Sequence, residues 1–211
     1  MNFLLLTMLK GTLTSLEIFF LTLLFSLPLG LIIAVGRLSK KSFINAPINF
    51  LLLIVRGTPL ILQLIFVYFA PYYLFKLSYD RFTAVIIAFS LNYACYFAEI
   101  YRGGILSIPQ GQYEAAKVLG LTRKQSFFRI ILPQVIKRIL PATGNEVITL
   151  VKDTALAQVI GVAELFRVAQ NAASKQFSTA PIFIAGVFYF FMNWFVSAGF
   201  SYLEKKLDYY K

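Results

Sequence analysis

The chain has 211 residues, of which 59% are apolar and only 14% are charged. Because a soluble domain carries about a quarter charged residues, this composition excludes an ordinary soluble protein and indicates a membrane protein with several spans. The net charge of +11 would suit a nucleic-acid partner, but the basic residues lie beside apolar runs, as they do at a membrane surface, so we expect no nucleic-acid binding.

Residue usage also limits the chemistry of the chain. Histidine, the commonest general base and metal ligand, is absent, and the one cysteine, Cys95, lies in an apolar run where it has no disulfide partner. The sequence contains no G-x-x-x-x-G-K-[ST] phosphate loop and no signal-peptide pattern. We therefore expect no metal site, no bound cofactor and no catalytic residues in this chain.

Five apolar runs approach the roughly 20 residues that cross a bilayer. They predict an all-α membrane protein with one transmembrane domain over residues 1–211. The spans are expected at about residues 12–35, 47–73, 82–101, 139–160 and 181–202. Arg56-Gly57-Thr58-Pro59 interrupts the second run, so its membrane part is expected to begin near Gly57. The connection at 161–180 predicts a further amphipathic helix at the outer surface.

Basic residues are distributed unevenly between the connecting segments. Three follow the first span, seven follow the third and three lie in the C-terminal tail, which together are 13 of the 20 Lys and Arg residues. Since cytoplasmic loops carry an excess of Lys and Arg, we expect the N-terminus outside and the C-terminus in the cytoplasm.

Residues 107–138 form a long polar segment between the third and fourth spans. Pro109 fits the first turn of a helix and Gly120 fits a left-handed C-terminal cap, so together they predict a short helix between them. Thr122 and Gln125 have the spacing of a capping box and predict the start of a second helix. The orientation above places this segment in the cytoplasm.

The first of these two helices can be interpreted in two ways. Tyr113, Ala116 and Gly120 lie along one side, where small residues let another protein approach the backbone and tyrosine is a typical interface residue. This side predicts a docking surface. A basic amphipathic segment can equally lie on the lipid surface, and these residues alone do not decide between the two.

Each predicted span places polar side chains at a similar depth, counted at 1.5 Å per residue. They are Ser26, Gln63, Asn92, Glu146 with Thr149, and Asn193. Polar and ionisable groups at membrane depth are costly and mark a transport pathway or a pairing. Hydrogen bonds between helices are the structural alternative.

Two helical faces are especially polar. The first holds Asn92, Tyr96 and Glu99, and the second holds Glu146, Thr149 and Asp153. Glu99 either pairs with Arg102 or contacts a substrate, and Asp153 either pairs locally, for instance with Lys152, or contacts a substrate. Glu146 has no basic residue three or four positions away, which makes it the strongest candidate for a substrate contact.

Several motifs resemble one known family. The spacing of Glu114-Ala115-Ala116, Gly120, Ile130 and Leu132-Pro133 resembles the EAA-type loop of permease subunits in bacterial ATP-binding-cassette importers. The polar amino acid uptake branch is similar at Arg56-Gly57-Thr58-Pro59, Gln63 and residues 98–105, 107–112 and 152–162.

The resemblance implies a multi-pass permease subunit of the bacterial cell membrane, which imports an amino acid by alternating access. It implies an ATPase subunit, binding ATP and Mg, that docks on the coupling-helix loop at 107–138. The docking residues would be Tyr113, Glu114, Ala115, Ala116 and Gly120. It also implies a second permease, either a copy of this chain or a sister chain, and an extracellular amino-acid-binding protein.

The polar residues of the spans would then form the substrate pathway: Gln63, Asn92, Glu99, Glu146, Thr149 and Asp153. We expect a cationic amino acid such as arginine, lysine or histidine near Glu146, because carboxylates at this depth outnumber the cations that could neutralise them. Glutamine or another neutral polar amino acid is the alternative.

Two other classes of protein fit less well. An ion-coupled secondary carrier is typically built from two matched halves, whereas these spans show no inverted repeat. A membrane scaffold without transport activity would explain the loop but not the polar residues at depth.

Overall fold

The computed structural model describes residues 2–207, with side chains from residue 4 onward. All regular secondary structure in this part of the chain is helical, as predicted, and it contains no strand. Its elements are α1 (Asn2–Arg37), α2 (Ser42–Gly57), α3 (Leu60–Phe75), α4 (Arg81–Leu106), α5 (Gln110–Val118), α6 (Arg123–Ser126), a π-helical turn (Phe127–Ile131), α7 (Leu132–Asp153), a 3-10 segment (Thr154–Ile160), α8 (Leu165–Gln176) and α9 (Ala180–Leu207).

Fewer helices than predicted qualify as membrane spans. Within the described residues, α1, α4 and α9 are long and apolar enough to cross a bilayer. α2 and α3 meet at 111° and make a fourth span only if the bent pair is counted as one. The fourth predicted span corresponds to the second half of α7 and the 3-10 segment; α7 is too polar to qualify, because five of its 22 residues are charged.

The break between α2 and α3 follows from the residues that form it. Gly57 ends α2, and Thr58 is extended, with φ −123° and ψ 148°. A residue before proline is driven out of the helical region, and Pro59 itself has no N–H to continue the helix. The interruption predicted at this motif is therefore confirmed, and it changes the direction of the chain sharply.

α4 lies at the centre of the fold and packs against α1, α3 and α7. Its aromatic side chains Phe89, Tyr93 and Phe97 are buried between these helices. Gly30 allows α1 to approach α4 closely, since a Cβ atom there would lie 3.0 Å from the carbonyl oxygen of Ala94. Close packing of this kind holds helices together in a membrane, where lipid tails are as apolar as the side chains.

The polar segment between α4 and α7 has a small core of its own. Ile108, Ile131 and Val135 are buried there, with Tyr113 packed against them. α5 and the π-helical turn thus fold back onto the start of α7 and form one packed unit with it.

The predicted ends of the short helices in this segment are confirmed. Gly120 follows α5 with φ +71°, the left-handed conformation that glycine adopts without strain. Thr122 and Gln125 make both hydrogen bonds of the capping box at the start of α6. Pro133 opens α7, in whose first turn it lies.

α8 confirms the amphipathic helix expected in the connection before the last span. Glu164 caps it from a fully buried position. The Glu164 carboxylate accepts hydrogen bonds from the backbone N–H groups of Phe166 and Arg167, both at 2.7 Å, and from the Tyr189 hydroxyl at 3.0 Å. Burial raises the pKa of the Glu164 carboxyl above its ordinary value, and these hydrogen bonds oppose the shift.

Candidate functional site

Gln63 and Asn92 lie together at the break between α2 and α3. Gln63 Nε2 donates to the carbonyl oxygen of Val55 at 2.7 Å and to the carbonyl and hydroxyl oxygens of Thr58 at 3.0 and 2.9 Å. Gln63 Oε1 accepts a hydrogen bond from Asn92 Nδ2 at 2.9 Å. These bonds satisfy carbonyl groups that the broken helix leaves without partners, so both amides are engaged within the protein.

Glu99 lies among arginines from three helices. Arg102 donates to both of its carboxylate oxygens, at distances of 2.8, 3.0 and 3.2 Å. Arg37, the last residue of α1, and Arg56, near the end of α2, lie 3.6 and 3.8 Å from the same carboxylate. The local pairing with Arg102 is therefore present, and cations of the chain itself neutralise Glu99.

Glu146, Thr149 and Asp153 follow one face of α7. Asp153 accepts a hydrogen bond from the Tyr93 hydroxyl at 2.8 Å, and the Thr149 hydroxyl donates to the backbone oxygen of Asn145 at 2.9 Å. Glu146 is half-buried, and no lysine or arginine of the described residues lies within ion-pair distance of its carboxylate. Of the three predicted carboxylates, Glu146 is the one whose oxygens have no partner among the described side chains.

Two further residues belong to this region although the polar pattern did not single them out. Tyr93 links α4 to Asp153 on α7, a contact between residues far apart in sequence that no local spacing reveals. The Arg56 guanidinium lies 5.4 Å from the centre of the Tyr96 ring. Such a cation–π contact fixes the arginine beside the polar face of α4.

The five predicted docking residues of α5 and its C-terminal end differ in exposure. Ala116 is 0% exposed and Tyr113 is half-buried in the small core, so these two side chains pack against their own chain, whereas Gly120 is exposed. The opposite face is solvent-exposed and holds Glu114, Ala115, Val118 and Leu119. Val118 and Leu119 are 88% and 73% exposed. The sequence does indicate this shared face, because residues at spacings of one, three and four fall on one side of a helix.

Polar contacts tie the polar segment to α7. Gln134 Nε2 on α7 donates to Gln112 Oε1 on α5 at 3.2 Å. Arg138, one turn further along α7, donates to the carbonyl oxygen of Ser107, which follows α4. α7 is therefore attached at its beginning to the segment that carries the exposed face of α5, and it carries Glu146 further along.

Comparison with known proteins shows that the chain matches a known protein family. A family model for the "binding-protein-dependent transport system inner membrane component" matches residues 26–209. The octopine transport system permease protein OccM of Rhizobium radiobacter is 37% identical over 193 residues, which cover 85% of this chain and 79% of that protein. The putative glutamine transport system permease protein GlnP of Rickettsia felis is 35% identical over 199 residues, which cover 94% of this chain and 91% of that protein.

A solved structure agrees with these matches. The crystal structure of an amino acid ABC transporter with histidines superimposes on this chain with a TM-score of 0.88 at 35% sequence identity. The match covers 95% of this chain and 94% of that one. The similarity therefore extends over nearly the whole architecture described above.

Proposed function

The chain belongs to the family of binding-protein-dependent transport system inner membrane components, and on this premise we propose that it is the permease subunit of an ATP-driven importer of polar amino acids. The named relatives and the amino acid ABC transporter support this proposal, because they match nearly the whole chain. The names of the relatives differ in substrate, octopine in one and glutamine in the other, so the substrate class has to be argued from the site.

The single observation that carries the substrate class is the unpaired carboxylate of Glu146 on α7. A carboxylate at membrane depth costs several kcal/mol unless a cation or hydrogen-bond donors compensate it. Asp153 adds a second carboxylate about 10 Å along the same face. Two negative charges on one face favour a substrate with two cationic groups, an α-ammonium and a cationic side chain, as in arginine or lysine.

The neutral alternative has weaker support. A glutamine side chain would need free amide or hydroxyl partners among the predicted pathway residues. The amides of Gln63 and Asn92 bond to each other and to the α2–α3 break, and the Thr149 hydroxyl bonds to its own helix. Glu99, the remaining predicted pathway residue, is paired with Arg102. We therefore centre the substrate on Glu146 and Asp153.

The proposed assembly follows from the exposed surfaces and the charge distribution. The positive-inside bias supports an N-terminus outside and a cytoplasmic segment at 107–138. The exposed face of α5 would then receive the ATPase, which binds ATP and Mg and hydrolyses ATP in place of this chain. A second permease, identical or a sister chain, would complete the pathway, and an extracellular binding protein would deliver the amino acid.

Transport by alternating access would use the attachments described above. A displacement of α5 by the ATPase is transmitted to α7 through the bond between Gln112 and Gln134, and Arg138 attaches α7 to Ser107 in the connection between α4 and α5. α7 carries Glu146, so the environment of the bound substrate changes with the state of the ATPase. The break between α2 and α3 supplies a flexible joint, because neither Thr58 nor Pro59 continues the helical hydrogen-bond pattern.

The test is uptake of labelled arginine, lysine, histidine and glutamine by the reconstituted complex, comparing Glu146→Gln with the wild type. We expect the variant to lose most uptake of the cationic amino acids while assembly and basal ATP hydrolysis persist. Glu17→Gln is the matched control, since Glu17 is an exposed carboxylate on α1 rather than on α7. Unchanged arginine and lysine uptake in Glu146→Gln, or a wild type that prefers glutamine, would overturn the cationic assignment.

A further inference from the structure

A charged cavity lies where α1, α2 and α4 meet. Its volume is about 370 Å³. It is lined by Arg37, Asn49, Leu52, Leu53, Arg56, Gly57 and Glu99. No residue of α7 lines it, so the cavity is separate from the proposed substrate face on that helix.

The cavity carries more positive than negative charge. Glu99 is the one carboxylate in its lining, and Arg102 already binds that carboxylate through two nitrogen atoms. Arg37 and Arg56 lie 3.6 and 3.8 Å from Glu99, beyond hydrogen-bond distance. The Arg37 Nε atom is buried and makes no hydrogen bond. With Arg102 counted, the three guanidinium groups leave an excess of two positive charges around one carboxylate.

The cavity also contains an acceptor that lacks a donor. Asn49 Oδ1 is buried and accepts no hydrogen bond, whereas its Nδ2 donates to Asn45 Oδ1 at 2.5 Å. Arg37 Nη1 donates to the same Asn45 oxygen at 3.1 Å. A ligand that satisfies the site would therefore present an anion to Arg37 and Arg56 and a hydroxyl or amine donor to Asn49.

The surface beside the cavity is apolar and faces outward. Phe50, Leu53 and Ile54 of α2 are 64%, 71% and 46% exposed, and Leu53 is also part of the cavity lining. Lys40 and Lys41 precede this helix on the side of the membrane that holds most of the basic residues. A charged cavity next to an exposed apolar helix face has the two halves of a lipid site, one for a headgroup and one for an acyl chain.

We propose that this cavity binds the phosphate of an anionic phospholipid from the cytoplasmic leaflet, with its acyl chain along the exposed face of α2. Basic pockets between transmembrane helices on the cytoplasmic side are suited to such headgroups. Phosphatidylglycerol matches the lining, since its phosphate is an acceptor for Arg37 and Arg56 and its glycerol hydroxyls are donors for Asn49. The choice of leaflet rests on the proposed orientation of the chain. The lipid would connect α1 to α2 beside the α2–α3 break.

The experiment is native mass spectrometry of the full-length chain in complex with its ATPase, in a neutral detergent. The probes are phosphatidylglycerol and phosphatidylcholine with the same acyl chains. We expect one phosphatidylglycerol per chain, retained at least about tenfold more tightly than phosphatidylcholine. Arg37→Gln with Arg56→Gln should reduce this preference at least about tenfold. Arg129→Gln, which removes an exposed arginine outside the cavity, should leave it unchanged.

A second pair of variants distinguishes a loss of lipid binding from a loss of folding. Leu53→Glu places a carboxylate at the cavity beside the arginines, and Leu53→Gln is its uncharged control; the exposed side chain contributes little to packing. We expect phosphatidylglycerol binding to be lost in the first and kept in the second. Equal binding of both lipids, or binding that survives both Leu53→Glu and the double arginine variant, would overturn the proposal. Displacement of the lipid by glycerol phosphate would also overturn it, since the cavity would then bind a soluble anion. Displacement by an amino acid substrate would overturn it as well, since the cavity would then belong to the transport pathway.

Discussion

The hydrogen bond between Gln63 and Asn92 gives a quantitative test of whether these amides hold helices together or bind the substrate. Gln63→Leu removes the hydrogen bond to Asn92 and those of the Nε2 group, whose two hydrogens are shared among three oxygens at the α2–α3 break. A hydrogen bond between membrane helices contributes about 0.6 kcal/mol on average and about 1.7 kcal/mol at most. We therefore expect Gln63→Leu to lower the free energy of unfolding by about 2–3 kcal/mol. Asn92→Leu, which loses one bond, should lower it by about 1 kcal/mol.

The double variant isolates the contact between the two side chains. If the hydrogen bond is structural, the effects of Gln63→Leu and Asn92→Leu should fall short of additivity by about 0.6–1.7 kcal/mol. The free energy of unfolding is measured by denaturant titration in mixed micelles. Asn193→Leu is the control, because Asn193 Nδ2 bonds to the Tyr189 backbone on its own helix and its effect should add independently. Additivity of Gln63→Leu and Asn92→Leu within about 0.3 kcal/mol, together with a large rise in the KM for uptake, would refute the structural role.

Three other changes test separate parts of the fold. Ala115→Glu should reduce co-purification of the ATPase with little loss of stability, whereas Ala116→Glu should lower stability because the charge enters the small core of the loop. Gly30→Val should lower the free energy of unfolding by about 1–3 kcal/mol, since the added side chain meets Ala94 on α4. The folded-state pKa of Glu164 is raised, so the stability difference between wild type and Glu164→Gln should shrink as pH rises above the ordinary value of 4.5.

Each of these expected changes can be contradicted by a measurement. Undiminished co-purification of the ATPase subunit with Ala115→Glu, or an unaltered melting temperature of Ala116→Glu, would show that the faces of α5 are misassigned. Unchanged unfolding of Gly30→Val in the same micelle titration would mean that α1 does not approach α4 closely. A stability difference for Glu164→Gln that stays constant from pH 4 to pH 8 would exclude the burial effect on its carboxyl, because the wild type must ionise that group as the pH rises.

Local features of the fold were predictable because they depend on neighbouring residues. The capping box at Thr122, the left-handed Gly120 and the break before Pro59 each follow from the chemistry of a few adjacent positions. The count of five spans is not confirmed, since apolar length alone does not describe α7. That helix mixes five charged residues with its apolar ones, and which of them are compensated depends on contacts from other helices.

The candidate site was predictable in its polar faces but not in its partners. The i, i+3, i+7 spacing grouped Glu146 with Asp153 correctly, and the spacing of three between Glu99 and Arg102 gave their pairing. The contact of Tyr93 with Asp153 joins two helices across a separation of 60 residues, and no periodicity encodes such a contact. The burial of Ala116 within its own chain was not predictable for a related reason: small residues suit close packing against the chain itself as well as against a partner.

Uptake into sealed vesicles tests most directly whether this chain is the permease of an ATP-driven amino acid importer. The chain is reconstituted with its ATPase and binding protein in proteoliposomes without an ion gradient, and accumulation of labelled arginine is followed with ATP, without ATP and with a non-hydrolysable analogue. We predict accumulation against a concentration gradient that requires ATP hydrolysis and the binding protein. Accumulation driven by a proton or sodium gradient in the absence of ATP, or no transport of any amino acid in a fully assembled complex, would contradict the claim.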